Sequence, residues 1–374
     1  MKHNTTSNRR SDSGRIEIKK PAQQLIGRAK RRIPLVWFLV ADVLISAMIL
    51  LIFSLFYFIL PQDLSQGAEV LPTLTTSDSR QTGTATTESG TGTLASTTLP
   101  DATTIASETT SETNESAWGA KFPGRFTGGK IEKTATSYRS SHVSLTIEKI
   151  QKDGVTYYLS DVYITDLKYF QSAFADDTFG KGYHKTTDEI ARQKNAILAV
   201  NGDYYGNNAG PVVRNGTLYR EQIYKDVLVM YLDGSMQTFT VSEFDLDKIK
   251  DTGVWQIWTF GPMLLSGGQP MQTFNSSVNP ANPRTAIGYY EPGHYCFVVV
   301  DGRQPGYSNG YSLKEMSQLF YNLGCKVAFN LDGGQSSEMA FLGQLVNQPY
   351  KGGREISDIV MIVDEEEELP WSND

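Results

Sequence analysis

The chain has few cysteines and histidines for its length of 374 residues. It contains two cysteines, Cys296 and Cys325, and four scattered histidines. No CxxC pattern and no cluster of cysteine with histidine occurs, which argues against a structural zinc site. No Ser-His-Asp arrangement can be read, so triad chemistry is not indicated. The two cysteines are compatible with one disulfide and equally with two buried thiols, because a sequence carries no geometry.

Charge and glycine patterns argue against two further classes of site. The net charge of −7 describes a mildly acidic protein, which argues against nucleic-acid binding. The pairs Gly267-Gly268 and Gly352-Gly353 lack phosphate-loop spacing and predict turns. Positive charge is concentrated at the N-terminus, where residues 1–32 carry ten Lys or Arg and two acids. A run of five acids follows near the other end, at residues 364–368.

A long apolar run, residues 35–60, follows the basic cluster and is interrupted mainly by Asp42. As an α-helix it would span roughly 39 Å, more than the ~30 Å hydrocarbon core of a bilayer. Basic residues before the run and none just after it place the N-terminus in the cytoplasm. A cleaved signal peptide is the rival interpretation, but no clean cleavage site follows Leu60. The sequence therefore predicts an uncleaved anchor over residues 33–60 and an extracellular C-terminal part.

Composition divides the rest of the chain. Residues 1–32 are predicted to form a basic cytoplasmic tail. Residues 61–117 are rich in Ser and Thr and too poor in apolar residues to offset chain entropy, which predicts a disordered stalk. Residues 118–363 have a globular composition without another break and are predicted to form one domain. Residues 364–374 form an acidic tail.

Strand signals dominate the globular part. Eight segments rich in β-branched or aromatic residues are bounded by turn-forming residues. They are residues 142–150, 155–164, 196–200, 227–232, 285–290, 295–300, 326–331 and 358–363. Helices are predicted at 187–195 and 313–323, the second with a capping box formed by Ser312 and Glu315. The pattern predicts an α+β, strand-rich single domain with a mixed sheet, a few helices and a crossover unit.

Four polar segments lie at the ends of predicted strands. They are Asn201-Gly202-Asp203, Asn282-Pro283-Arg284, Asp301-Gly302-Arg303 and residues 330–339, which include Asp332-Gly333-Gly334 and Glu338. Strand ends on one side of a sheet can converge on a pocket. The four carboxylates suit proton transfer or metal binding, and the two arginines match phosphate or carboxylate oxygens. Two carboxylates with an arginine suit hydrolysis of a glycosidic bond that bears a phosphate.

Each segment also has a purely structural interpretation. Asp301-Gly302 is an ordinary turn former. Arg303 can pair with Asp301 at the surface. Residues 330–339 are compatible with a solvated β-turn. Glu338 is compatible with the exposed side of a strand.

Taken in order, these segments resemble the phosphodiester glycosidase family. The resemblance covers roughly residues 141–363. Its motifs are Asn201-Gly202, Phe260-Gly261-Pro262 with Gly267, Asn282-Pro283-Arg284-Thr285-Ala286, Val300-Asp301-Gly302-Arg303, Ser308 with Gly310 and Leu313, Asn330-Leu331-Asp332-Gly333-Gly334, and Arg354. Two positions depart from the family: Asp203 replaces a residue that is often small, and Gln335 a residue that is often glycine.

The residues and the resemblance together imply a membrane-anchored extracellular hydrolase that cleaves a sugar-1-phosphodiester in a cell-envelope or exopolysaccharide glycan. Asp332 is the leading acid/base candidate, with Asp301 and Glu338 as second carboxylates. The predicted substrate-binding residues are Arg284, Arg303, Asn201, Asp203, Asn330, Gly333, Gly334 and Ser336. The alternative is a non-catalytic glycopolymer-binding or assembly module of the same fold.

The sequence requires no cofactor. A divalent cation held by Asp203, Asp301 and Asp332 is a further hypothesis. The expected partners are a glycan or sugar-phosphate substrate and, through one helix, the membrane, with no nucleic acid. The sugar, the anomeric course and the oligomeric state are not indicated, because carboxylate separation is a three-dimensional quantity.

Overall fold

The computed structural model describes residues 34–56, 60–72, 117–206 and 208–366. The predicted cytoplasmic tail, residues 73–116 of the predicted stalk and the end of the acidic tail lie outside the described residues. The chain divides into two compact units, Met1–Leu60 and Pro61–Asp374.

The first unit contains helix α1 (Leu35–Ser54). Its 20 residues correspond to about 30 Å at about 1.5 Å per residue, which matches the hydrocarbon core of a bilayer. Its described side chains are exposed. By length and composition α1 can cross a membrane, although a signal sequence meets the same criteria. The predicted apolar run is thus helical over most of its described length.

The second unit contains the remaining described helices and the described strands. The helices are α2 (Ala117–Lys121), α3 (Thr187–Gln193), α4 (Leu246–Lys250) and α5 (Leu313–Asn322). The first strands are β1 (Gln62–Asp63), β2 (Glu69–Val70), β3 (Glu132–Lys133), β4 (Ser137–Arg139), β5 (Val143–Lys152), β6 (Val155–Ile164), β7 (Phe170–Phe174), β8 (Gly180–Lys181), β9 (Ala196–Asn201), β10 (Val212–Arg214) and β11 (Thr217–Arg220). The later strands are β12 (Val227–Tyr231), β13 (Met236–Phe239), β14 (Val254–Trp258), β15 (Leu265–Ser266), β16 (Gln269–Pro270), β17 (Arg284–Glu291), β18 (His294–Val300), β19 (Val327–Asn330), β20 (Met339–Phe341), β21 (Gln344–Leu345) and β22 (Asp358–Val363).

Most of these strands belong to three sheets. Their orders are β19-β17-β18-β6-β5-β4-β3, β21-β20-β9-β22-β7 and β13-β12-β14-β10-β11-β2. The pairs β1-β8 and β15-β16 are separate. One large core cluster draws buried residues from all three sheets, among them Phe297, Phe341 and Trp258. The sheets therefore share a single hydrophobic core, as expected for one domain.

The strongest sequence signals correspond to real elements. All eight predicted strands are present, and β6 and β22 have the predicted bounds. Helix α5 begins at Leu313, directly after its N-cap Ser312, and the predicted capping box of Ser312 and Glu315 is formed. The six-stranded sheet was largely missed, because strands such as β10 (3 residues) and β13 (4 residues) are too short to carry a periodic signal. The strand-rich α+β prediction is confirmed.

The mixed sheet is the part of the fold prediction that differs from the structure. Strand β17 lies between β18 and β19 and is antiparallel to both. The crossover through α5 therefore joins two strands of the same direction that are not neighbours. Every hydrogen-bonded strand pair in the described residues is antiparallel. The inserted strand is the physical reason why the crossover through α5 does not produce a parallel pair in the seven-stranded sheet.

Residues 61–72 differ from the predicted stalk. Strand β1 pairs with β8, and β2 pairs with β11. Leu71 is only 4% exposed, and its N–H donates to the carbonyl of Gly216 at 2.9 Å. Strand pairing and the burial of Leu71 therefore hold this short segment against the rest of the second unit. The stalk boundary at residue 61 was therefore placed too early.

The two cysteines are free and buried. Cys296 lies on β18 and Cys325 follows α5, with 3.7 Å between the two sulfur atoms. Gly288 on β17 packs against both, and a Cβ there would contact the two sulfurs too closely. The sequence left open a disulfide or two buried thiols, and the structure contains two buried thiols.

Candidate active site

Three strands bring predicted residues together at one edge of the seven-stranded sheet, the edge that is formed by the ends of its strands. Arg284 begins β17 opposite Val300, the last residue of β18. Asn330, the last residue of β19, lies opposite Ala286. Because β17 is antiparallel to both neighbours, its start lies beside their ends. The loops that leave β18 and β19 therefore extend from the same edge.

A cavity of about 340 Å³ opens at this edge. Its lining includes the predicted residues Asn330, Gly333 and Gly334. Its charged lining residues are four cations and one carboxylate: Lys225, Arg284, Arg303, Arg354 and Asp332. This excess of positive charge suits an anionic ligand.

Asp332 is the carboxylate in this cavity. It is 5% exposed. Its Oδ1 accepts a hydrogen bond from the Gly333 N–H at 2.9 Å, and its Oδ2 accepts one from Arg354 Nη2 at 2.6 Å. Burial raises the pKa of Asp332, while hydrogen bonds from Ser336, Arg354 and Gly333 oppose that shift. The group is thus a carboxyl whose proton affinity is increased and whose position is held by three partners.

Arg284 is a buried guanidinium group without a carboxylate partner in the described residues. Its Nε donates to Tyr311 O at 3.0 Å, and its Nη2 donates to Val278 O at 2.8 Å and Pro280 O at 2.7 Å. Burial, with a contribution from Arg303, lowers the pKa of Arg284 to about 10. Within the described residues Nη1 makes no hydrogen bond, so it remains available to a ligand in the cavity.

Arg303 lies on the loop after β18. Its Nε and Nη2 both donate to Asn282 Oδ1, at 2.9 and 2.7 Å. Its backbone is left-handed, with φ 56°, a conformation that non-glycine residues adopt when their surroundings stabilise it. The guanidinium lies beside Gly334, where any side chain would contact it. The proposed surface pair with Asp301 is therefore not formed.

Asn201 connects the Asp332 loop to neighbouring strands through the hydrogen bonds of its side chain. It is fully buried, and its Nδ2 donates to Asp332 O at 2.8 Å and Gly202 O at 3.2 Å. Its Oδ1 accepts hydrogen bonds from Thr285 Oγ1 at 2.7 Å and from the Glu338 N–H at 3.3 Å. These bonds join the five-stranded sheet to the seven-stranded sheet and hold the Asp332 loop. The side chain uses its hydrogen-bonding capacity within the protein rather than in the cavity.

Asn330 differs from Asn201 in one respect. Its Nδ2 donates to Gly261 O at 2.9 Å and to Leu331 O at 2.7 Å. Its Oδ1 is buried and has no hydrogen-bond partner among the described residues. Since Asn330 lines the cavity, this oxygen can accept a hydrogen bond from a ligand hydroxyl group.

Glu338 lies outside the residues that line the cavity. It is 1% exposed, and its Oε2 accepts a hydrogen bond from the Thr187 N–H at 3.3 Å, at the start of α3. The backbone of Gly353 packs against its Oε1. Burial raises the pKa of Glu338 to about 7. The structure thus places Glu338 at a buried position in contact with the loop that carries Arg354, not at the exposed side of a strand.

Asp301 also lies outside the cavity lining. Its Oδ1 accepts from Asn347 Nδ2 at 2.8 Å, and its Oδ2 accepts from Tyr307 OH at 2.7 Å and the Gln348 N–H at 3.1 Å. Burial raises its pKa. This carboxylate joins the end of β18 to the loop that contains Asn347. Its catalytic role stays a prediction, and its contacts in the structure are those of a support.

Asp203 belongs to a buried ionic group. Its Oδ1 and Asp358 Oδ2 both lie 2.9 Å from Arg214 Nη2, and its Oδ2 accepts from the Thr259 N–H at 3.0 Å. Burial and the charge of Asp203 raise the pKa of Asp358 to about 7. Asp203, Asp301 and Asp332 therefore have separate partners. Among the described residues they do not form a group close enough to share one ion.

Two charged residues of the cavity lining, Arg354 and Lys225, were not predicted as site residues. Arg354 Nε donates to Ser336 Oγ, and its guanidinium lies 4.7 Å from the centre of the Tyr204 ring. Ser336 itself is fully buried and holds Arg354 rather than lining the cavity. The sequence signal for Arg354 was its place in the family motif. Lys225 had no local signal.

Comparisons with known proteins agree with the resemblance. Residues 194–363, which include all residues that line the cavity, match the phosphodiester glycosidase family model. The SPbeta prophage-derived uncharacterized protein YomE of Bacillus subtilis (strain 168) is 28% identical over 247 residues, which cover 59% of this chain and 38% of that protein. The N-acetylglucosamine-1-phosphodiester alpha-N-acetylglucosaminidase of Bos taurus is 26% identical over 187 residues, covering 44% of this chain and 34% of the enzyme. The chain thus spans little more than a third of the length of either relative.

One solved structure is the catalytic domain of zebrafish N-acetylglucosamine-1-phosphodiester alpha-N-acetylglucosaminidase, auto-inhibited by its pro-peptide. It is 20% identical and aligns with a TM-score of 0.49, covering 63% of this chain and 88% of that one. A hypothetical protein from Synechocystis aligns with a TM-score of 0.42 at 16% identity, covering 62% of this chain and 63% of that one.

Proposed function

We propose that this protein, whose residues 194–363 match the phosphodiester glycosidase family model, hydrolyses the bond between the anomeric carbon of a sugar and a phosphodiester oxygen. The observation that carries the proposal is the charge of the cavity, which four cations and one carboxylate line. A neutral glycoside would not use this positive charge, whereas a phosphate would.

Arg284 and Arg303 hold the phosphate. Both guanidinium groups line the cavity and neither has a carboxylate partner in the described residues. Their mutual repulsion helps to lower the pKa of Arg284, and an anion bound between them relieves it. Hydrogen bonds from guanidinium to phosphate oxygens are short and charge-assisted, so they also orient the ligand.

Asp332 accepts a proton from the water molecule whose oxygen bonds to the anomeric carbon, while the bond from that carbon to the phosphate oxygen breaks. Its raised pKa favours uptake of a proton, and Arg354 and Gly333 hold the carboxylate in place for that step. The departing group is a phosphate monoester, whose negative charge the arginines stabilise. A second carboxylic acid in the cavity is therefore not needed to protonate the leaving group. Asn330 Oδ1 accepts a hydrogen bond from a sugar hydroxyl.

The natural substrate is a cell-envelope or exopolysaccharide glycan that contains sugar-1-phosphodiesters. Helix α1 anchors the protein in the membrane, and the ten basic residues before it keep the N-terminus in the cytoplasm. The second unit then lies outside the cell, where such glycans occur.

The test uses full-length protein in detergent with a sugar-1-phosphodiester in water labelled with heavy oxygen. Glycosidic cleavage places the label on the sugar, whereas cleavage at phosphorus places it on the phosphate. We expect label on the sugar and a loss of at least about 100-fold in kcat for Asp332→Asn. We expect Arg284→Gln to increase KM for the phosphodiester.

Arg139→Gln is the matched control. The Arg139 guanidinium also donates to two backbone carbonyls, those of Arg125 and Gly124, both at 2.9 Å, but it lies on β4 and not in the cavity. This variant should turn over like the wild type. A folded Asp332→Asn protein with full activity, or label on the phosphate, would contradict the proposal.

A non-catalytic glycopolymer-binding module is the second candidate. It is favoured by one observation: among the described residues, Asp332 is the sole carboxylate in the cavity lining. This candidate predicts saturable binding of a phosphate-containing glycan without release of sugar. Sugar release that depends on Asp332 would exclude it.

A further inference from the structure

A second group of polar side chains lies outside the candidate active site, beyond the end of β22. His142 immediately precedes β5, and Asp364 and Glu366 follow β22. The Nδ1 atom of His142 lies 3.5 Å from Asp364 Oδ1 and 3.4 Å from Glu366 Oε1. One potential ligand atom from each of the three residues lies within 4.8 Å of the others. These two acids belong to the acidic run near the C-terminus, which the proposed hydrolysis does not use.

The state of the individual atoms points to a cation as the ligand. His142 Nδ1 is buried and has no hydrogen-bond partner among the described residues. The side chain of Asp364 is fully buried, and within those residues no lysine or arginine pairs with it. Buried nitrogen atoms and carboxylates of this kind are normally bonded or compensated. A metal ion would give the histidine nitrogen a bond and would give the carboxylate, which already accepts three hydrogen bonds, a compensating positive charge.

The spacing is that of ligands around a small divalent ion. Bonds of about 2.0–2.1 Å at a tetrahedral angle place two ligand atoms roughly 3.3–3.4 Å apart. The separations from His142 Nδ1, 3.5 and 3.4 Å, are close to this value. The two carboxylate oxygens lie within 4.8 Å of each other.

Neighbouring side chains orient the ligands. Asp364 Oδ2 accepts hydrogen bonds from Tyr138 OH at 2.9 Å and from Ser140 Oγ. Its Oδ1 accepts one from the Glu366 N–H at 3.1 Å and lies 3.5 Å from His142 Nδ1. The His142 ring stacks on Tyr169, with 5.0 Å between the ring centres and 20° between the planes. Hydrogen-bonded carboxylates and fixed imidazole rings are usual supports of metal ligands. His142 also lines part of a cavity of about 920 Å³.

We propose that His142, Asp364 and Glu366 bind one divalent transition-metal ion, for which Zn²⁺ is the fitting choice. An imidazole nitrogen with two carboxylate oxygens suits Zn²⁺ better than Mg²⁺ or Ca²⁺, which prefer oxygen ligands alone. The ion joins the start of β5 in the seven-stranded sheet to the chain after β22 in the five-stranded sheet. Its role is structural, and it fixes the end of the last strand.

The experiment measures Zn²⁺ binding directly by isothermal titration calorimetry. Full-length protein in detergent is treated with a chelator, dialysed and titrated with ZnCl₂, and its melting temperature is measured with and without the ion. We expect one strong site per chain and a higher melting temperature with Zn²⁺. Glu366→Gln and His142→Gln should each weaken binding at least tenfold, and excess Ca²⁺ should not displace the ion.

Glu365→Gln is the matched control in the same acidic run. Glu365 pairs with Lys168 at 2.8 Å, its side chain is 68% exposed, and it is not one of the three ligands. This variant should bind Zn²⁺ like the wild type. Absence of a strong site in the wild type would overturn the proposal. Equal weakening by Glu365→Gln and Glu366→Gln would also overturn it, because it would indicate non-specific binding by the acidic run.

Discussion

Replacement of Glu338 by glutamine tests whether this buried carboxyl group supports the fold or reacts in the active site. The side chain is 1% exposed and accepts a hydrogen bond from the Thr187 N–H. A second backbone hydrogen bond comes from Arg354. An amide has nearly the same shape but only one acceptor atom. The variant therefore removes the charge and one of these two bonds.

The magnitude follows from the pKa of Glu338. Burial raises it from 4.5 to about 7. The folded state therefore holds this proton more tightly than the unfolded state, and the stabilisation is present below pH 4.5 and lost as the pH rises through about 7. At about 1.4 kcal/mol per pH unit the full loss is about 3 kcal/mol, of which about 2–3 kcal/mol falls between pH 5 and pH 8.

Urea unfolding of the full-length protein in detergent, followed by fluorescence at pH 5 and pH 8, measures this difference. The lost hydrogen bond in Glu338→Gln costs about the same at both pH values, so it cancels when the two are compared. We expect the stability of the variant, relative to the wild type, to increase by about 2–3 kcal/mol from pH 5 to pH 8. Glu148→Gln, an exposed position on β5, is the control and should show no such increase.

An identical pH dependence of wild type and Glu338→Gln would refute this reasoning. Activity adds a separate result. Since Glu338 does not line the cavity, we expect the variant to retain turnover of the phosphodiester. Complete loss of kcat in a folded variant would instead assign Glu338 to the chemistry.

Three further variants or conditions test other contacts. Gly353→Ala should destabilise the protein by at least about 1 kcal/mol in urea unfolding, because φ is 85° and a Cβ would overlap Glu338 Oε1. Arg214→Met should cost about 3–5 kcal/mol by the same measurement, because it leaves two buried carboxylates without their cation. Inorganic phosphate should raise the melting temperature at pH 8, because the guanidinium groups of Arg284 and Arg303 line the cavity without a carboxylate partner in the described residues. Arg284→Gln should reduce this increase, because it leaves Arg303 as the remaining one of the two.

Local sequence patterns were sufficient for the long elements and for the approximate position of the site. Strands β6 and β22 have long apolar or aromatic patterns and were predicted at their observed bounds. The polar ends of β17 and β19 correctly marked the edge where the cavity opens. Four short strands of the six-stranded sheet were not predicted, namely β10, β11, β13 and β14. Segments of three to five residues carry little periodic signal.

The four carboxylates at the strand ends show what local sequence patterns do not predict. In the sequence they are alike, since each lies in a polar segment at the end of a predicted strand. In the structure only Asp332 lines the cavity, while Asp203, Asp301 and Glu338 bind partners elsewhere in the chain. The lysine and the third arginine of the cavity come from loops with no strand signal of their own.

The sequence alone thus determined the apolar helix, the strand-rich fold, the family resemblance and the segments that carry polar chemistry, because these depend on local composition and spacing. Only the tertiary structure decided which of the four carboxylates lies in the cavity with the cations that line it. That choice depends on side-chain direction and on contacts between distant residues, such as the ion pair of Arg214 with Asp358, 144 positions apart. No local pattern encodes such a contact, because it forms only when the sheets pack around their shared core.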